Sequence, residues 1–221
     1  MAVVFGLSFN TMQNLTTDKS VIKKIPTTHK VVAITIDDGP HAKTTPEILQ
    51  VLQEKNVKAT FFILGVNAEK NMDILKQEAE QGHELANHGY SHKDFSKLTS
   101  ENILKELNIT EQMLESVGVK PILFRPPFGT YNDNSLEIIK QKGYITVLWS
   151  VDSSDWSLVS EVTIINNVVK NIKPGDIILF HDGQYPINTM KALPTIIDKL
   201  REEGYELLTV SELLKYYEVR K

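Results

Sequence analysis

The 221-residue chain contains no cysteine. Disulfides, thiolate nucleophiles and zinc–thiolate sites are therefore excluded, and any metal must be held by histidine and carboxylate. The absence fits either redox compartment. A basic block is also missing: 24 Lys and Arg face 28 Asp and Glu, and the two signs are mixed along the chain. A nucleic-acid partner is not expected from such a balance, and nothing implies a tight protein partner. No apolar run approaches the roughly 20 residues that span a bilayer. The stretch 1–9, MAVVFGLSF, is apolar but lacks the basic start of a signal peptide. It reads as an N-terminal strand or as the trimmed end of an export segment. There is no low-complexity tract and no internal repeat. No glycine-rich fingerprint follows the first strand, which argues against a dinucleotide cofactor.

What remains is an ordinary globular composition, 41% hydrophobic and 24% charged, in a length that suits one well-buried domain. Residues 1–29 read as a lead-in and 30–221 as the main domain. Apolar, β-branched runs predict strands at 31–37, 59–65, 83–89, 121–128, 145–152, 176–182 and 206–210. Helical patterns lie between them. The first has Thr45 as N-cap and Pro46 at its first position. Others cover 68–81, 100–117, 134–142, 162–172 and 189–203, and SELLKYYEV closes the chain. On the helix at 100–117, Ile103, Leu107 and Leu114 share one face. Seven repeated β–α units predict an α/β fold with about seven parallel strands and helices outside. A barrel and a doubly wound open sheet both satisfy the pattern.

The strand ends carry the chemistry. The first ends in Asp37-Asp38-Gly39-Pro40, the third at His88 with His92 four residues on, and the fourth in Arg125-Pro126-Pro127-Phe128. The fifth ends in Asp152, followed by Asp155-Trp156, and the sixth in Leu179-Phe180-His181-Asp182. Parallel sheets gather functional groups at the carboxyl ends of their strands, and packing alone does not explain five such ends. His-x-x-x-His sets two imidazoles one helical turn apart, close enough to share an ion. A carboxylate from another strand completes a three-ligand set suited to zinc, with other divalent transition metals also fitting. Asp37 and Asp38 are adjacent, so one can bind metal while the other handles a proton; Asp-Asp-Gly-Pro also makes an ordinary turn. Arg125 can lower the pKa of a nearby Asp, and Asp155 can hold and tune His181.

TIDDGP (35–40), HGYSH (88–92), RPPF (125–128), DSSDW (152–156) and LFH (179–181) resemble, in order, the five motifs of the polysaccharide deacetylase family, carbohydrate esterase family four. The resemblance covers about residues 30–215. It implies a distorted (β/α) barrel and a hydrolase that removes N-acetyl groups from N-acetylglucosamine polymers such as peptidoglycan or chitin-like chains, releasing acetate. It implies Asp37 as catalytic base, paired with Arg125, and Asp38, His88 and His92 as ligands of one divalent metal. Zinc is the expected ion, with Co2+, Ni2+ or Mn2+ as alternatives. His181 would be the general acid tuned by Asp155. The backbone at Phe128 would face the oxyanion, and Trp156 and Leu179 would wall the acetyl pocket. Such a substrate implies an extracytoplasmic, secreted or wall-associated protein. Two departures stand out. Gly89 replaces the Ser or Thr that usually follows the first His, so a loop-fixing hydrogen bond is expected to be lost. Ser157-Leu158-Val159 replaces the basic residue often found after the Trp. A non-catalytic carbohydrate-binding protein and an amide hydrolase for small nitrogenous metabolites are the rival readings.

Overall fold

The structure, a computed structural model, describes residues 21–184 and 187–218; the reading of 1–9 lies outside them. In chain order the elements are β1 (Val31–Asp37), α1 (Thr44–Glu54), β2 (Thr60–Ile63), α2 (Gly65–Lys70), α3 (Met72–Glu80), β3 (Glu84–Asn87), α4 (Ser100–Ser116) and β4 (Leu123–Phe124). Then come α5 (Asp133–Gln141), β5 (Ile145–Thr146), β6 (Val151–Asp152), α6 (Glu161–Val169), β7 (Ile177–His181), α7 (Thr189–Glu202), β8 (Glu206–Leu208) and α8 (Val210–Leu214).

Strand β1 is buried along its whole length, and its alternation gives it two working faces. Val32, Ile34 and Ile36 point outward, into a core shared with Ile48 and Leu49 of α1 and Ile196 of α7. Val31 and Ala33 point inward, among Phe62, Ala86, Leu123 and Ile177. Thr35 and Asp37 continue that inner row toward the carboxyl end. The interior is therefore apolar at one end and polar at the other. The lower end is filled by Leu208, Val210, Leu213 and Leu214.

All named strand pairs are parallel, in the order β5-β4-β3-β2-β1-β7-β6, with β8 beside the start of β1. Segments β5 and β6 belong to one run of chain, the fifth predicted strand. Its first residues pair with β4 and its last with β7, so this run stands at both ends of the order and closes the ring. At the bend, Ile22 donates to Thr146 O and accepts from Leu148 N–H, and Lys24 pairs with buried Asp176 at 2.7 Å. The seven predicted runs all appear, and the architecture is the distorted (β/α) barrel.

Two local expectations are corrected. Helix α1 begins at Thr44, so Thr45 is not its cap. The His41 ring nitrogen Nδ1 instead lies 3.2 Å from the Lys43 amide, and Thr45 Oγ1 donates to Asp182. The helix expected over 68–81 is two helices, α2 and α3, parted at Asn71. Its side-chain amide donates to the Pro40 and Asn67 carbonyls, tying this break to the turn after β1.

Candidate active site

The inner rows of β1, β3, β4 and β7 end in Asp37, His88, Arg125 and His181. Asp38, one residue past β1, would point away from a regular strand. It adopts φ 76, a left-handed conformation uncommon outside glycine, and turns back into the cleft. Its Oδ1 lies 3.4 Å from His88 Nε2 and 3.2 Å from His92 Nε2. His92 is also left-handed, at φ 55. Strained conformers gathered at one site are a mark of functional geometry.

The donor chemistry fits a divalent ion. Asp38 Oδ1 is buried and has no hydrogen-bond partner, and one donor atom from each of the three residues lies within 4.8 Å of the others. His88 Nδ1 lies 2.7 Å from the Arg125 carbonyl, which fixes the proton there and leaves Nε2 as a lone-pair donor, an outer contact typical of metal-binding histidine. Burial alone would raise the Asp38 carboxyl, but the close approach of the His88 and His92 rings holds it well below the usual range.

Arg125 is fully buried. It donates 2.6 Å to Asp37 Oδ1 and 2.9 Å to Thr35 Oγ1, and also reaches the carbonyls of Val147 and Leu148. Its guanidinium lies over the Phe62 ring at 4.0 Å. Asp37 is thus oriented through one oxygen, while Oδ2 stands 3.9 Å from His88 Nε2.

On the opposite side, His181 Nδ1 lies 2.8 Å from Asp155 Oδ1. Asp155 Oδ2 accepts from the His181 amide and from Thr189 Oγ1. Burial pulls the His181 ring toward neutrality, but the hydrogen bond and charge of Asp155, with Asp37 and Asp38 behind it, push the ring up to about 9.

Asp37, Asp38, His88, His92 and His181 line one cleft of about 640 Å³ together with Phe128, Trp156 and Leu179, and Arg125 and Asp155 support them from behind. Phe128 is left-handed at φ 59, and its ring meets the His92 ring edge-on at 4.4 Å. Every strand-end residue given a role is therefore in or directly behind the cleft. Several others were given no role. Asn67 and Trp149 line the cleft, and Asn67 donates to the Asp38 carbonyl. Thr189 and Thr35 hold Asp155 and Arg125. Asp182, next to His181, is buried beneath the Asp37–Pro40 turn. Burial pushes its carboxyl up to about 7 against the lowering hydrogen bond from Thr45. A Cβ at Gly39 would collide with that carboxyl, so only glycine fits there. Its position beside a strand-end histidine was the one sequence signal for Asp182.

A sequence profile described as polysaccharide deacetylase matches residues 24–147. A peptidoglycan-N-acetylglucosamine deacetylase of Bacillus cereus is 40% identical over 196 residues, covering 87% of this chain and 92% of that protein. A solved peptidoglycan N-acetylglucosamine deacetylase, in complex with an N-hydroxy-benzamide, superposes with a TM-score of 0.86 at 36% identity, over 97% of this chain and 100% of that one. A carbohydrate esterase family four pseudoenzyme from Bacillus anthracis has a TM-score of 0.85 at 32% identity, over 91% of this chain and 71% of that one. With its barrel, its motif residues converging on one cleft and these relatives across most of its length, the chain belongs to the polysaccharide deacetylase family.

Proposed function

We propose that the chain hydrolyses the N-acetyl amide of N-acetylglucosamine units in peptidoglycan, with one divalent ion, zinc foremost, held by Asp38, His88 and His92. The carrying observation is the juxtaposition of that donor set with an Arg125-oriented Asp37 and an Asp155-held His181 across a single cleft. An N-hydroxy amide, the class of ligand bound to the relative, chelates divalent ions, which supports the metal reading.

A bound ion would supply charge that polarises the amide carbonyl and acidifies water. Asp37, fixed through Oδ1, takes the proton of the attacking water on Oδ2. In this reading the backbone N–H at Phe128 meets the developing oxyanion. As the C–N bond breaks, His181 delivers the proton from Nε2 to the departing amine, giving acetate and glucosamine. Trp156 and Leu179 bound the space for the methyl group. The polymer lies outside the cytoplasm, so the protein is expected there, and fractionation of the native cells tests this.

Likeness to a pseudoenzyme supports a non-catalytic reading, but here both proton carriers and the complete donor set are in place. An acetate-release panel of peptidoglycan, chitooligosaccharide, acetylated exopolysaccharide and small amides decides. Release from peptidoglycan that chelator abolishes and zinc restores is the expected result. No release from any of them points to binding without turnover, and release only from small amides points to the metabolite hydrolase.

The His181 assignment makes a pH prediction. The acid must be protonated, so kcat/KM falls as pH rises through about 9. Asp155→Asn removes the charge that holds the ring up, so that alkaline limb moves to lower pH. A limb that stays in place would assign it to another group.

A further inference from the structure

We propose that Glu106, on the buried face of α4, is a positioning residue for the candidate metal site, holding the backbone between His88 and His92 in its ligating shape. This rests on the metal reading above. Glu106 is 6% exposed. Its Oε2 accepts from the amides of Tyr90 and Ser91 at 2.9 and 2.7 Å, and its Oε1 accepts from Ser91 Oγ at 2.5 Å. Two consecutive N–H groups converging on one anion form an anion-binding concavity in the backbone. From the other side, the first two amides of α2, those of Gly65 and Val66, donate to the carbonyls of Gly89 and Tyr90. The segment is clamped from both faces.

The clamp has a reason to exist in this sequence. Gly89 carries no side chain to fix the loop, and the two residues after it are held by a carboxylate 15 to 16 residues downstream. Gly89 itself stands at φ 79, and a Cβ there would lie 3.1 Å from the Phe95 ring and 3.6 Å from Glu106 Oε2. The carboxylate therefore closes over a position that glycine keeps narrow. With His92 at φ 55, the loop holds two left-handed residues within four positions, a shape that relaxes unless its amides are satisfied.

The chemistry of the clamp predicts how substitutions rank. Glutamine can accept both amides on its oxygen and donate from its nitrogen to Ser91 Oγ, because a hydroxyl also accepts. Glu106→Gln preserves three hydrogen bonds. Glu106→Asp keeps the charge but withdraws the acceptors by one methylene. Glu106→Leu removes them.

The test is zinc affinity of the full chain, measured without substrate by competition with a chelating dye. Glu106→Asp and Glu106→Leu are expected to weaken zinc binding by about 10- to 100-fold, the usual effect of losing an outer contact to a ligand. Glu106→Gln is expected to stay within about threefold of wild type, a rescue that loss of packing alone does not produce. If Glu106→Leu does not fold, Glu106→Asp carries the test. A folded Glu106→Asp chain with wild-type affinity overturns the assignment of Glu106. A wild-type chain that takes up no zinc, cobalt, nickel or manganese overturns the metal reading itself.

Discussion

Asp37→Asn is expected to lower turnover by a factor on the order of 10² or more while leaving the metal content of the protein unchanged. Asparagine keeps an oxygen for the 2.6 Å bond from Arg125 but cannot accept a proton at the neighbouring atom. Asp38→Ala is expected to lose both metal and activity, because it removes the buried Oδ1 that faces both imidazoles. Metal per chain, measured beside the rate of acetate release, separates the two carboxylates. If Asp37→Asn stripped the ion and Asp38→Ala kept it, their roles would be exchanged. His181→Ala belongs with Asp37→Asn: a loss of similar order, with metal retained.

Arg125→Met is expected to cost about 3–5 kcal/mol, the usual penalty for removing one partner of a buried ion pair. That lowers the melting temperature by roughly 6–20 °C for a chain of this size. The loss exceeds one contact because Asp37, Thr35 and the carbonyls of Val147 and Leu148 all lose their donor together. Arg125→Lys is not expected to restore stability, since an ammonium cannot present a planar fork to donors' partners on several sides. Thermal and urea unfolding measure both variants. A midpoint equal to wild type for Arg125→Met would show that Asp37 and the two carbonyls find other partners.

The parts of the fold legible in the sequence were those with local causes. The row Val31, Ala33, Thr35, Asp37 follows from strand alternation, and with it the arrival of a carboxylate at the polar end of the barrel. His88, Arg125 and His181 are readable for the same reason, each standing at the end of an apolar run. Parity placed Asp38 facing elsewhere; its left-handed backbone brings it into the cleft, and only the motif resemblance, not strand alternation, announced that. The bend in the run 145–152 was hidden because its cause is distant: β4 claims one half, β7 the other, and Ile22 fills the gap. Glu106 and Thr189 were hidden likewise. On its own helix each looks like a polar residue at a routine position, and its value depends on what the barrel brings opposite. Thr45 looked like a cap for the opposite reason, a local rule displaced by the distant carboxyl of Asp182.

Arg125 sits where the bent run leaves its neighbours, and it bonds the two carbonyls at that seam as well as the Asp37 carboxylate. One side chain both pins the barrel and orients the proposed base. Under relaxed selection these duties separate. His92 or His181 can drift and silence turnover without touching the Arg125–Asp37 pair. Losing Arg125 takes the donor from both seam carbonyls at once. Descendants of this fold that abandon chemistry for binding are therefore expected to keep the arginine and its Asp37 partner after His92 or His181 has gone, so the pair is evidence of a closed barrel and not of an active one.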